Sequence, residues 1–368
     1  MKNRHIFLLA LCFFVLANVA LFLVFRKSPT PSLQLTIPRK PSPVLWRSKA
    51  PSLLNPPTRL SDGWLITTPR GEIVSLTAEG VLRWKITDTN KAWQAATLID
   101  PETLCAVTLK GELATFHAAT GELRWMRETG LTCLQPPCVT EFNTERVLVL
   151  LSQEDGTLLC LSAKDGELRW RSPATNRTDG PPVCFDQTLA YGNCDATVYL
   201  FSLTNGQLKG SIPLNSDEQI AGQLLPLPTG QLVAGTRAGT LVLLDPDRFT
   251  CLARVRLSES ETFATPAWIA PDRIAMPTPE GKLFFWKCQP SQLLPDGELQ
   301  LAARFEETAF HDGIFWGIAE RQLLAFRLSD RKELFRYSPG DELQHLSPGR
   351  LGRCLLAVDS ELLCLKGF

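Results

Sequence analysis

The chain has 368 residues, of which 44% are hydrophobic and 21% charged, with 38 basic and 38 acidic side chains. This length and apolar content suit a globular protein with a sizeable core, built either as two domains or as one repeat fold. Residues 1–50 hold eight basic residues and no acidic one, so the remainder is acidic by about eight charges. A mildly acidic body lacks the basic stripe of a nucleic-acid-binding protein, and this argues against a nucleic-acid partner.

An apolar run extends from residue 6 to residue 25 and is interrupted only by Asn18. A helix of about 20 residues is long enough to span the roughly 30 Å hydrocarbon core of a bilayer. The run ends in Leu-Val-Phe, which is a poor cleavage site, so we predict an uncleaved membrane anchor over residues 1–27, with cleavage as the alternative. Basic residues flank both ends of the run, so the positive-inside rule leaves the orientation of the anchor open.

A proline-rich stretch follows the anchor, with eight prolines between residues 28 and 57. Proline fixes φ and removes a backbone donor, so we predict an extended linker over residues 28–42. Directly after it, residues 44–47 read Val-Leu-Trp-Arg. This segment, which contains Trp46, resembles the second strand of the hairpins described next, but without a partner strand beside it.

A β-hairpin motif is repeated along residues 43–368. Its best copy runs from Gly156 to Trp170 and consists of an apolar strand, a turn at Gly166 and a return strand that ends in Leu-Arg-Trp. Glycine accepts the positive φ that such a turn needs. Eight copies begin 39–45 residues apart, at Gly71, Gly111, Gly156, Ala196, Gly239, Gly281, Arg321 and Ser360.

This period is typical of a β-propeller with four short strands in each blade. The first strand of each hairpin is apolar at consecutive positions, as expected of a strand that is covered on both faces. The eighth copy has no return strand, and the segment around Trp46 would supply it, closing the ring and removing two open sheet edges. We therefore predict an all-β, eight-bladed propeller over residues 43–368, with seven blades as the alternative if a degenerate unit such as the sixth does not form.

The turn and return strand resemble the tryptophan-docking repeat of the pyrroloquinoline-quinone-type β-propeller family. Residues 119–125 and 163–170 carry the pattern most fully, and residues 77–84 are a weaker copy. In that family the tryptophans pack between neighbouring blades, and Gly210 stands where the fourth copy would have its tryptophan. The resemblance implies blade-docking roles for Gly80, Trp84, Gly121, Trp125, Gly166 and Trp170. The missing return strand of the eighth copy predicts a ring-closing role for Trp46.

The family that the repeat resembles includes quinone-dependent dehydrogenases and also cofactor-free scaffolds, such as the propeller of the outer-membrane β-barrel assembly machine. The sequence contains no Cys-Cys pair, no Cys-x-x-Cys-His motif and no P-loop. Its four histidines, His5, His117, His311 and His345, have no metal-ligand spacing to one another or to a cysteine. We therefore expect no catalytic, cofactor-binding or metal-binding residues.

The sequence contains eleven cysteines, and two pairs of them are close enough in sequence to form disulfides in an oxidising compartment. These are Cys133 with Cys138 and Cys184 with Cys194. Buried free thiols are the alternative for both pairs.

Together these features predict a membrane-tethered, non-catalytic scaffold that binds protein partners, and the family resemblance implies a role in cell-envelope assembly. The expected location is a bacterial inner membrane, crossed by residues 6–25, with the propeller on the periplasmic side. A quinone-dependent oxidoreductase and a sensor of a small ligand in the central channel are the alternatives.

Overall fold

The computed structural model describes residues 43–366, except for positions 51, 52, 54, 69, 263, 350, 351 and 360. The predicted membrane anchor and linker therefore lie outside the described residues. Over the described ranges we find no helix with the length and apolar character needed to cross a bilayer. The repeats belong to one compact unit that begins at Pro43.

In the described residues the chain forms eight four-stranded antiparallel sheets, one for each blade. This confirms the predicted all-β, eight-bladed propeller, and the seven-blade alternative is wrong because the sixth unit forms a complete blade.

Blade 1 contains β2 (Thr58–Leu60), β3 (Gly63–Thr67), β4 (Glu72–Thr77) and β5 (Leu82–Thr87). Blade 2 contains β6 (Trp93–Asp100), β7 (Thr103–Thr108), β8 (Glu112–His117) and β9 (Leu123–Glu128). Blade 3 contains β10 (Cys138–Phe142), β11 (Glu145–Leu151), β12 (Leu158–Ser162) and β13 (Leu168–Arg171).

The next four blades repeat the same order of strands. Blade 4 contains β14 (Val183–Phe185), β15 (Thr188–Gly192), β16 (Thr197–Ser202) and β17 (Leu208–Pro213). Blade 5 contains β18 (Leu225–Pro226), β19 (Leu232–Gly235), β20 (Thr240–Asp245) and β21 (Thr250–Arg256). Blade 6 contains β22 (Ala267–Ala270), β23 (Arg273–Pro277), β24 (Lys282–Gln289) and β25 (Gln292–Gln300). Blade 7 contains β26 (Glu307–His311), β27 (Ile314–Ala319), β28 (Gln322–Arg327) and β29 (Lys332–Tyr337).

Blade 8 is assembled from both ends of the described chain. Its strands are β30 (Leu343–Pro348), β31 (Cys354–Val358), β32 (Glu361–Leu365) and, at the outer edge, β1 (Val44–Lys49). Strand β1 pairs antiparallel with β32, so that Trp46 lies opposite Cys364. The backbone N–H of Lys366 also donates to the carbonyl oxygen of Pro43 at 2.6 Å.

The apolar core is divided among the interfaces between neighbouring blades, which we call seams. Strand β11 shows how: Val147, Val149 and Leu151 belong to a cluster shared with blade 4, while Leu148 and Leu150 belong to one shared with blade 2. Successive side chains of a strand point to opposite faces, so a strand between two neighbouring blades must be apolar at every position. This accounts for the consecutive apolar positions in the sequence.

Removal of β1 tests the closure of the ring. A chain that begins at residue 50 lacks the fourth strand of blade 8 and the half-buried Trp46 ring, so the edge of β32 is left unpaired. We expect its melting temperature, measured by circular dichroism, to fall by several degrees relative to a chain that begins at residue 43. Equal melting temperatures would rule out a stabilising role for β1.

Candidate functional site at the blade seams

Four tryptophans occupy the same place in four successive seams. In each case the indole N–H donates a hydrogen bond to a backbone carbonyl oxygen of the next blade. The acceptors are Ala78, Ala118, Ala163 and Leu203 for Trp46, Trp84, Trp125 and Trp170, at 2.9, 2.9, 3.2 and 2.7 Å. A buried indole needs such an acceptor, and here the acceptor also ties the outer strand of one blade to the hairpin turn of its neighbour.

A glycine of the neighbouring turn lies directly against each indole ring. The pairs are Gly80 with Trp46, Gly121 with Trp84, Gly166 with Trp125 and Gly206 with Trp170. A Cβ added at Gly121 would lie 2.8 Å from the Trp84 ring, and the φ of Gly121 is +74°. Glycine is therefore required at this position for two reasons. Any other residue would be strained by the positive φ, and its side chain would clash with the indole ring.

The glycine and the tryptophan of one sequence copy thus belong to two different seams. The predicted docking residues are brought together across neighbouring blades, and the Trp46 ring lies against blade 1. Gly206 completes the set, although the sequence analysis did not single it out because its own copy has Gly210 in place of the tryptophan. The signal that would have identified it is the tryptophan of the preceding copy.

At the seam between blades 4 and 5 the arrangement is reversed. Gly210 stands at the tryptophan position of β17, and the space that a side chain there would occupy is filled by the ring of Phe249. Phe249 stands at the glycine position of the blade 5 turn and has a φ of +55°, which is unusual for a bulky residue. The large side chain therefore comes from the following blade and reaches back over the glycine.

The seam between blades 6 and 7 repeats this reversal with a different side chain. Arg331 takes the turn position in blade 7 with a φ of +55°, and Gly297 takes the strand position in blade 6. The Arg331 guanidinium lies 4.4 Å from the centre of the Phe285 ring and donates to the Asp296 carboxylate at 2.7 Å. Arg331 is thus fixed by a cation–π contact and an ion pair.

The described cysteines are all free thiols, including both pairs that could have formed disulfides. Burial raises the pKa of Cys105, Cys138 and Cys160 to about 12. Thiols of this kind stay protonated at neutral pH and behave as small apolar side chains. Cys184 lies in the same apolar cluster as Cys138 and Cys160, and the Thr140 hydroxyl contacts its sulfur at 3.3 Å.

Two histidines have polar partners at the inner strands of the ring. Nδ1 of His345 lies 2.9 Å from the Glu307 carboxylate, which also accepts a hydrogen bond from the backbone N–H of Leu346. His311 contacts Arg59, and burial together with that positive charge lowers its pKa. Among the described side chains, no group of three or more His, Cys, Asp or Glu is placed to hold a metal ion.

Eight four-stranded blades, with tryptophan–glycine pairs in four successive seams, define a β-propeller of the pyrroloquinoline-quinone type. The chain belongs to the family described as outer membrane protein assembly factor BamB, whose model matches residues 43–245. That stretch contains all four tryptophans of the docking seams. A curated relative, outer membrane protein assembly factor BamB of Taylorella asinigenitalis (strain MCE3), is 23% identical over 201 residues. The match covers 50% of this chain and 50% of the relative, so the chain spans about half the length of that protein.

Solved structures share the fold at low sequence identity. BamB from Moraxella catarrhalis superimposes with a TM-score of 0.66 at 15% identity, covering 87% of this chain and 98% of the other. The C-terminal WD40 domain of Sif2 gives a TM-score of 0.73 at 10% identity, covering 88% and 97%. The computationally designed protein Ika8 gives 0.65 at 16%, covering 86% and 99%. These likenesses establish the propeller architecture.

Truncation of Trp170 tests how much a docking seam contributes to the free energy of unfolding. Trp170 is 9% exposed, and Trp170→Ala is expected to lower the free energy of unfolding by about 3–5 kcal/mol in urea denaturation, because it removes both the buried ring and its hydrogen bond. The matched control is Leu168→Ala in the same strand, where the side chain is 48% exposed. That substitution should change stability by no more than about 0.5 kcal/mol. A near-neutral Trp170→Ala would contradict the seam role.

Exchange of the two residues in the reversed seam tests whether they fill a shared volume. Gly210→Trp alone should clash with the Phe249 ring, and Phe249→Gly alone should leave a cavity. The double variant restores the tryptophan–glycine order, so it should be more stable than the sum of the single effects by about 0.5–3 kcal/mol. Gly210→Trp combined with Arg331→Gly, which lies in another seam, is the control and should show additive effects. Additivity in both pairs would refute the shared volume.

Proposed function

We propose that this chain is a non-catalytic scaffold for protein partners in the bacterial cell envelope, serving the assembly of outer membrane proteins. Membership of the BamB family carries this proposal, since the family description and the curated relative both name outer membrane protein assembly. Residues 6–25 are the proposed tether, in an inner membrane, with the propeller in the periplasm. The apolar run of about 20 residues supports the tether.

The distribution of exposed apolar side chains supports a partner surface on the half of the ring that matches the family model. Among the described residues, the large hydrophobic side chains that are exposed all lie between residues 45 and 208, which is within blades 8 and 1–4 and their loops. Four of them open the outer strands of successive blades and are 48–55% exposed: Leu82, Leu123, Leu168 and Leu208. Single exposed leucines are ordinary on a protein surface, but recurrence at one position of four blades favours a contact surface.

Crosslinking in intact cells, followed by purification of the full chain and mass spectrometry, tests this function. We expect the same envelope assembly proteins to be recovered repeatedly, and in smaller amounts with a variant in which these four leucines are replaced by Ser. The control variant replaces exposed polar residues of the adjoining turns by Ser, namely Glu79, Glu122, Lys164 and Gln207. Recovery of no envelope assembly protein would overturn the proposal.

The oxidoreductase alternative is tested with pyrroloquinoline quinone and calcium added to the purified full chain. The scaffold proposal expects neither stoichiometric quinone absorbance nor reduction of an electron-accepting dye. Stoichiometric binding with turnover would replace the scaffold by an enzyme.

A further inference from the structure

A cleft of about 640 Å³ opens between blades 6 and 7, and we refer to it as the 6–7 cleft. Its walls are residues 261, 262 and 264–267, the turn 277–279, the loop 304–306 and the first residues of β26. The volume falls in the range of sites that hold small ligands or short peptide segments. All the residues that line the cleft lie beyond residue 245, where the match to the family model ends.

Polar and apolar residues line the 6–7 cleft in similar shares, and its apolar wall is rigid. Pro266, Pro277 and Pro279 line it together with Phe305 and Phe310. Proline rings have a fixed φ and lose little freedom on binding, so they form a preorganised surface. The rings of Phe305 and Phe310 lie 5.1 and 5.2 Å from that of Phe315, which anchors both of them in the blade 7 core.

Strand β26 presents its edge to the 6–7 cleft. Four consecutive residues, Glu307 to Phe310, line the cleft, and consecutive residues of a strand point to opposite faces. The cleft therefore borders the edge of the strand and not one of its faces. β26 is the terminal strand of its sheet, with β27 on one side only, so its other edge can pair with an added strand.

Carboxylates outnumber cations among the side chains that line the 6–7 cleft. Glu261, Glu306 and Glu307 line it with one cation, Arg304. Glu261 is already paired with Arg237 at 3.0 Å, and Glu307 accepts the N–H of Leu346. Glu306 is exposed, and no described residue forms a hydrogen bond or an ion pair with its carboxylate.

We propose that the 6–7 cleft binds an extended segment of a partner protein that carries basic side chains. The segment pairs with the edge of β26, its apolar side chains contact the prolines and Phe305, and a Lys or Arg reaches Glu306. This inference rests on the proposed function as a scaffold for protein partners.

Fluorescence anisotropy with the full chain in mild detergent tests the cleft. The probe is a labelled seven-residue peptide of alternating Val and Lys, and its counterpart has Glu in place of each Lys. We expect saturable binding of the Lys peptide only, weakening as salt is added. Glu306→Lys should lower the affinity about tenfold, equivalent to about 1.4 kcal/mol, and Glu306→Gln should lower it less.

The matched control is Glu141→Lys, a charge reversal at an exposed glutamate of blade 3 whose side chain is 68% exposed. It should leave the affinity within about twofold, since screening removes most of the effect of a distant surface charge. Absence of saturable binding, equal binding of the Glu peptide, or equal weakening by Glu141→Lys would each overturn the inference. Peptide binding that fails while crosslinking still recovers assembly proteins overturns this inference alone. Failure of crosslinking while the cleft still binds the Lys peptide overturns only the assembly role.

Discussion

The packing of apolar side chains between neighbouring blades holds this protein together. A single blade is a four-stranded sheet with two apolar faces, so it cannot bury its own surface and depends on a blade at each side. Val147 and Leu148 are adjacent in sequence and fully buried, yet they belong to different seams. Because every blade needs two neighbours, the ring must close, and β1 completes the last blade with a strand from the other end of the described chain.

The seams fill the same volume in two ways. In four successive seams a tryptophan of the outer strand rests on a glycine of the next turn, and in two later seams Phe249 or Arg331 of the turn covers a glycine of the strand. Close packing explains why the exchange is reciprocal, since two large side chains would clash and two glycines would leave a void. Glycine also adopts the positive φ of the turn without strain, whereas Phe249 and Arg331 adopt it at a steric cost.

The two kinds of seam divide the ring into halves with different surfaces. The half with tryptophan seams carries the match to the BamB family and the exposed leucines of the outer strands. The half with the reversed seams carries the cleft with proline walls and its carboxylates. The buried thiols show that the interior is used for packing, as burial raises the pKa of Cys160 to about 12. The two proposed contact surfaces therefore lie on strands and loops that the rigid ring supports.

The sequence by itself determined the number of blades, the four-strand unit and the partner of the unpaired Trp46 segment, because each depends on a local pattern repeated at a fixed spacing. It also predicted docking roles for Trp84, Trp125 and Trp170 through their resemblance to a known repeat. Only the tertiary structure decided that Gly121 serves Trp84 and that Phe249 replaces a tryptophan, because these contacts join separate blades. The same holds for the 6–7 cleft, whose walls come from four segments that no local pattern connects.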